Sequence, residues 1–204
     1  MEFFLFVIME KELTQFLEFI NEFVPLTFED VEHVLPSIKL IEFDRKELIL
    51  GVDEKCKDVY FVIEGLFRIY NLKDGNEINM AFMSEGEFFT DYESLVSDEN
   101  CKYYIESIEK TRMLLLPYDK LLEGYDKSHM LERLGRLMVE RAMTNMISLN
   151  NSAANIKAEQ KYTEFEENNK ELVNRIPLKH LASFIGITPE SLSRLRKSRL
   201  ESVS

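Results

Sequence analysis

The chain has 204 residues, 45% of them hydrophobic, and a formal net charge of −12. This length allows a sizeable buried core and predicts two domains of unequal size. Two cysteines, Cys56 and Cys101, are too few for a disulfide framework. The opening apolar run is too short to span a bilayer and lacks the basic segment and cleavage site of a secretory signal. Composition therefore argues against secreted and membrane proteins, and we expect a soluble, cytoplasmic one.

The N-terminal half is predicted to combine one helix with a set of short strands. Residues 10–23 repeat apolar side chains at helical spacing. From about residue 38 to residue 116 the pattern changes to short apolar or alternating runs, with a hairpin signal at residues 73–76. Several short strands with regular turn signals are typical of an antiparallel sandwich or jelly roll.

A long central helix is predicted to begin near residues 126–128 and to end near Asn151. Its apolar side chains recur every three or four residues, and they are Leu131, Leu134, Met138, Ala142, Met146 and Leu149. Such a stripe suits the seam of a parallel two-helix dimer, but it could instead pack only on the chain's own strands. Residues 150–154 interrupt the pattern and predict a hinge. A second helix is then expected over residues 158–173, before Pro177.

The stretch Leu178–Leu195 has the pattern of two short helices joined by a sharp turn. Its predicted inward-facing residues are Leu181, Ala182, Ile185, Ile187, Leu192 and Leu195. Gly186 stands where the chain must adopt left-handed φ, Thr188 is a good N-cap, and Pro189 suits the first helical position. This is the helix-turn-helix arrangement, whose second helix enters the major groove of DNA. The alternative is an αα-hairpin with no role in DNA binding.

Charge is distributed unevenly along the chain. Residues 175–200 carry a net charge of +5, whereas residues 1–174 carry −16. The basic side chains of the C-terminal segment are Arg175, Lys179, Arg194, Arg196, Lys197 and Arg199. A basic tip on an acidic body is expected where only one face meets phosphate. The alternative is a basic end that is merely solvated.

The order of these motifs resembles that of the CRP/FNR family of bacterial transcription regulators over nearly the whole chain. The matching features are the run Val59–Gly65 with Arg68, the Asp-Gly hairpin, the run Glu85–Phe89, the long helix and the helix-turn-helix. The resemblance implies an α+β fold with an antiparallel β-roll (jelly roll) of the cyclic-nucleotide-binding type over residues 1–125, a dimerisation helix and hinge over 126–152, and a winged helix-turn-helix DNA-binding domain over 153–204. Because the sequence ends nine residues after Leu195, we expect the wing to be missing.

The same resemblance locates a candidate effector pocket at Gly86, Glu87 and Lys102. In nucleotide-binding members a Gly-Glu pair holds the ribose, and an Arg-Ser or Arg-Ala pair binds the cyclic phosphate. Gly86 and Glu87 match the first pair, but Cys101 and Lys102 replace the second. A lysine cannot fork onto a phosphate as arginine does. Nearby acids, namely Asp91, Glu93, Asp98 and Glu99, also disfavour an anion. Cyclic AMP is therefore not predicted, and the effector is unknown.

No cofactor, metal site or enzymatic activity is predicted. An iron–sulfur cluster needs about four cysteines. His33, His129 and His180 share no ligand spacing, and each is expected on the surface or on a helix face. No arrangement of nucleophile and base or phosphate-binding glycine loop occurs.

For DNA binding, the resemblance makes Glu190 and Arg194 the principal base readers, with Ser193 beside them. Glutamate accepts from cytosine N4, and arginine forks onto guanine O6 and N7. The phosphate candidates are Lys179, Thr188, Arg196 and Lys197, although Arg196 and Lys197 could instead cap the helix.

The expected partners are double-stranded DNA, a second copy of the chain reading a two-fold operator, and RNA polymerase as a further candidate. No membrane partner is expected. The alternative from another class is a signalling or scaffold module whose C-terminal helices bind a protein. Residues 188–199 expose Arg and Lys without large apolar anchors, which favours DNA.

Overall fold

A computed structural model describes residues 2–97, 99–153 and 157–203, with side chains described for residues 11–97, 99–147 and 157–199. The helices are α1 (Glu2–Asn21), α2 (Phe28–Val31), α3 (Tyr92–Val96), α4 (Tyr118–Tyr125), α5 (His129–Ala153), α6 (Ala158–Asn168), α7 (Leu172–Arg175), α8 (Leu178–Ile185) and α9 (Pro189–Val203). The strands are β1 (Lys39–Phe43), β2 (Leu48–Leu50), β3 (Asp58–Glu64), β4 (Leu66–Lys73), β5 (Asn76–Ser84), β6 (Phe88–Phe89), β7 (Tyr104–Ser107) and β8 (Thr111–Pro117).

The strands form two antiparallel four-stranded sheets, in the orders β1-β8-β3-β6 and β2-β7-β4-β5. A core of buried side chains from both sheets includes Val62, Phe67, Ile105 and Met113. The predicted hairpin joins β4 to β5, and Asp74 and Gly75 both have positive φ, as a type I′ turn requires. The predicted α+β chain with an antiparallel β-roll is confirmed.

Helices α1 and α5 pack on the first of these sheets, where they share a second core. Phe16 and Ile20 of α1 lie against Phe61 of β3, together with Leu131 and Leu134 of α5. The predicted apolar stripe of α5 is therefore divided. Its first residues pack on the chain's own β-roll, and Met138 is half-buried there, whereas Ala142 and Met146 are exposed. Leu149 lies outside the residues whose side chains are described.

Two predicted helix boundaries differ from the structure. Helix α5 runs through Ala153, two residues past its predicted end, and Ala154, the last residue of the predicted hinge, lies outside the described residues. The helix expected over residues 158–173 ends at Asn168 and restarts at Leu172 as α7. Asn169 leaves helical geometry, and its side-chain amide donates to the carbonyl of Phe165 at 3.0 Å, satisfying one of the last carbonyls of α6.

Helices α6 to α9 form a C-terminal domain around a third cluster of buried side chains. Tyr162, Ile176, Leu181 and Leu192 belong to it, and Leu66 and Ile108 of the β-roll join the same cluster. The C-terminal domain is thus packed directly on the β-roll, and α8 lies against β5. Within the described residues, no helix is long and apolar enough to cross a membrane.

Candidate nucleic-acid interface

The turn between α8 and α9 has the predicted helix-turn-helix geometry. Gly186 has φ of 88°, and its amide and that of Ile187 donate to the carbonyl of Ala182 at 2.9 and 3.0 Å. The hydroxyl of Thr188 accepts from the amide of Ser191 at 3.2 Å, as an N-cap does. All six predicted inward-facing residues are buried or half-buried in the cluster around α8. This geometry fixes which side of α9 faces solvent.

The three predicted base readers lie on that solvent side of α9. Glu190, Ser193 and Arg194 are all exposed, and they line one groove with Leu178 and Pro189. The backbone amide at Glu190 itself, followed by the Thr188 hydroxyl and the Arg194 charge, holds the pKa of this carboxyl below its ordinary value. The carboxylate is therefore ionised at neutral pH and able to accept a hydrogen bond.

The four predicted phosphate contacts differ in their surroundings. Lys179, Thr188 and Lys197 are exposed. Arg196 is half-buried, and its guanidinium donates to the Tyr162 hydroxyl at 3.2 Å and to the carbonyl of Val173 at 3.1 Å. These contacts tie α9 to α6 and α7, so the Arg196 guanidinium is engaged within the chain. The alternative of a helix cap does not describe it, because both partners belong to other helices.

The candidate effector residues each have a hydrogen-bond partner within the β-roll. Glu87 accepts from the amide of Ser84 at 2.7 Å, and Gly86 donates to the carbonyl of Val62 at 2.9 Å. The exposed amine of Lys102 binds Glu93 at 2.6 Å. In this arrangement the Lys102 amine is paired with an acid.

The surroundings of Cys101 do not fit a cyclic phosphate. Its buried thiol donates to the carbonyl of Tyr103 at 3.1 Å, and burial raises the pKa of this thiol to about 12, so it stays neutral. The nearby Asp91 side chain adds to this rise in pKa, and its carboxylate is itself buried and accepts from the amide of Ser94 at 3.2 Å. A buried carboxylate beside a neutral thiol would repel an anion there. Asp98 lies outside the described residues.

The histidines do not converge. His33 and His129 are exposed, and His180 is buried on the face of α8 that contacts the β-roll. Among the residues described, no group of three His, Cys, Asp or Glu side chains could hold a metal ion. Sequence reasoning missed the contacts of His180, because its partner Arg68 lies 112 positions earlier in the chain.

The β-roll matches a known domain family, and most of the chain resembles several solved structures. Residues 40–128 match the profile of the cyclic nucleotide-binding domain family. No curated protein matches the sequence. Among solved structures, the c-di-GMP-responsive global regulator CLP of Xanthomonas campestris superposes with a TM-score of 0.67 at 13% identity, covering 85% of this chain and 91% of CLP.

Two further solved structures are similar over comparable shares of this chain. A CooA mutant from Carboxydothermus hydrogenoformans superposes with a TM-score of 0.66 at 14% identity, covering 82% of this chain and 78% of CooA. A protein from Eubacterium rectale described as a CRP/FNR family transcriptional regulator gives 0.65 at 14% identity, covering 86% of this chain and 85% of its own. The molecule is thus a cyclic-nucleotide-binding-type β-roll joined to a helix-turn-helix domain. It has the fold of the CRP/FNR regulators, which confirms the resemblance found in the sequence.

Proposed function

We propose that this chain is a bacterial transcription regulator of the CRP/FNR type, which acts in the cytoplasm and binds a two-fold DNA operator as a homodimer. The observation that carries the proposal is the position of Glu190, Ser193 and Arg194. All three are exposed on one side of α9, while Leu192 on its other side is fully buried. A helix held in this way offers its polar side chains to the major groove.

The chemistry of these side chains suits direct reading of base edges. Glu190 would accept from cytosine N4, and Arg194, one turn further along α9, would fork onto guanine O6 and N7. Lys179, Thr188 and Lys197 would bind phosphates and set the position of the helix. RNA polymerase is a further proposed partner, on the family likeness alone.

The exposed half of α5 supports the dimer. Val139, Met143, Met146 and Ile147 have exposed fractions of 37%, 54%, 58% and 57%. A helix that exposes so many apolar side chains suits a seam with a second copy. Met146→Lys should therefore shift the protein towards the monomer in sedimentation velocity, whereas Thr144→Lys, on an exposed polar residue of the same helix, serves as the control for added charge.

The effector is proposed not to be cyclic AMP. The neutral Cys101 thiol stands where the family resemblance implies an arginine, and the Asp91 carboxylate near it is buried. The response to c-di-GMP belongs to CLP, and the low identity does not carry it to this chain. Another small molecule, or none, would act on this β-roll.

The test is selection of a preferred duplex from random DNA, followed by binding measurements on variants. Arg194→Ala should lose about 1–3 kcal/mol of discrimination between the selected and a scrambled duplex. Lys197→Ala should weaken both duplexes equally and reduce the salt slope by about one. Lys57→Ala, on the β-roll, is the matched control and should change neither. Equal loss on both duplexes for Arg194→Ala would contradict its role as a base reader.

A further inference from the structure

A polar contact between the C-terminal domain and the β-roll is the basis of this inference. Helix α8 lies along β5, which is the edge strand of its sheet. The hydroxyl of Ser183 donates to the carbonyl of Glu77 at 2.8 Å and accepts from the amide of Asn79 at 3.1 Å. One side chain of α8 thus satisfies a backbone donor and a backbone acceptor on a strand edge that would otherwise be open.

A buried arginine stands at the centre of this contact. Arg68 is 2% exposed, and it donates to Glu77 at 2.7 Å and to Glu106 at 3.0 and 3.1 Å. Its guanidinium also lies 2.9 Å from Nδ1 of His180 on α8. Because arginine only donates, this nitrogen must accept and must carry no proton. The β-roll therefore holds α8 through a hydrogen bond that requires a neutral histidine.

A second ion cluster lies at the end of α7. Arg175 donates to the two carboxylate oxygens of Glu85 at 2.8 and 2.9 Å, and to Glu109 at 3.1 Å. These bonds raise the pKa of the Arg175 guanidinium above its ordinary value. Glu85 is fixed in turn, since it accepts from the amide of Gly65 at 2.8 Å. Two parallel hydrogen bonds from one guanidinium to one carboxylate are the strongest arrangement for a partly exposed ion pair.

The carboxylates in these clusters are anions, and they bind cations that DNA phosphates would otherwise bind. Arg175 and Lys179 are two of the six cations in residues 175–200. The hydrogen bond from Arg68 lowers the pKa of Glu77, and the charge of Lys179 lowers it further. Carboxylates of the β-roll hold or attract both cations when the domain is docked. Residues 1–157, which precede the C-terminal domain, carry a net charge of −13, and docking keeps this charge close to the helix-turn-helix. Docking therefore lowers the positive potential that phosphate binding requires.

We propose that this contact is an autoinhibitory latch, in which acidic residues of the β-roll hold the helix-turn-helix domain in a form with low affinity for DNA. The latch comprises Arg68, Glu77, Glu85, Glu106, Glu109, Arg175, His180 and Ser183. The inference rests on the proposed function, since it concerns how the DNA-binding form is reached. Only the released fraction binds DNA at full affinity, so the apparent dissociation constant falls as the latch weakens.

The experiment compares two double variants that each remove two carboxylates from one arginine. Glu85→Gln with Glu109→Gln removes the partners of Arg175. Glu42→Gln with Glu64→Gln removes two partners of Arg112, in the β-roll, and is matched in charge. Duplex affinity is measured by fluorescence anisotropy at fixed salt. Weakening two ion pairs of this kind should tighten binding by about threefold to tenfold relative to the matched control.

Ser183→Ala supplies a second variant that leaves the charge unchanged. It should bind duplex DNA about twofold tighter than the wild type, and amides of α8 and β5 should exchange faster in both latch variants. Equal affinity of the two double variants, or weaker binding by the latch variants, overturns the latch and leaves DNA binding intact. If neither the wild type nor any variant binds duplex DNA, the proposed function fails and the latch with it.

Discussion

The two helices of the helix-turn-helix use their polar side chains in opposite ways. On α8, His180 and Ser183 bind the β-roll of the same chain. On α9, Glu190, Ser193 and Arg194 face solvent. Both helices share one apolar core, so the difference lies entirely on their outer sides. The comparison shows that polar residues of one motif can bind another part of the chain on one helix and stay exposed to solvent on the next.

The largest expected change in the free energy of unfolding is that of Arg68→Ala, on the docked side of this comparison. Arg68→Ala removes the cation that Glu77, Glu106 and His180 share. We expect the free energy of unfolding to fall by about 3 kcal/mol, because carboxylates at a docked interface lose their partner. Urea denaturation followed by circular dichroism measures this change. The exposed Arg45 provides the control, since Arg45→Ala should change stability by under about 0.5 kcal/mol.

A smaller effect is expected from the titration of His180. Burial, the charge of Arg68 and then that of Lys179 lower the pKa of this imidazole to about 4, while Glu77 opposes the shift and Lys46 adds to it. The unfolded chain therefore binds more protons between pH 6.5 and pH 4, and stability falls as the pH is lowered through that window.

The comparison with His180→Asn isolates this contribution. Asparagine can keep an acceptor near the position of Nδ1 but does not titrate. Between pH 6.5 and pH 4 the wild type should lose on the order of 2 kcal/mol more unfolding free energy than the variant. Parallel curves for the two proteins would show that folding does not lower the pKa of His180.

The smallest expected effect on stability distinguishes two neighbouring basic residues of α9. Arg196→Ala should lower the free energy of unfolding by about 1 kcal/mol, because it removes hydrogen bonds to Tyr162 and Val173. Lys197→Ala, a loss of the same charge one residue later, should leave stability within about 0.5 kcal/mol while weakening duplex binding. Equal destabilisation by both changes would contradict the distinction between Arg196, which contacts other helices of the chain, and Lys197, which is proposed to contact DNA.

Local patterns predicted the parts of the fold that depend on local physics. Alternation and the Asp-Gly pair indicated the hairpin at residues 73–76, and helical spacing with Gly186 and Thr188 indicated both helices of the helix-turn-helix. The break at Asn169 was missed, because the apolar spacing of residues 158–173 continues through it.

The docked interface could not be read from the sequence, because it joins distant residues. Arg68 and His180 are separated by 112 positions. One signal was present. Arg68 interrupts an apolar strand, and Glu77 and Glu106 stand on the two strands beside it. The net charge of residues 175–200 also overstated the basic surface, since Arg175 is held by acids of the β-roll.

The ring of Tyr70 gives the docked interface a spectroscopic signal of its own. Its centroid lies 5.2 Å from that of Tyr104 in a stacked pair, and the Arg68 guanidinium lies 4.0 Å from it. The sequence has eight tyrosines and no tryptophan, so no indole absorption covers their near-ultraviolet bands. Separation of the domains would take His180 away from Arg68, the cation beside this pair, so the near-ultraviolet dichroism of unlabelled protein is expected to report opening.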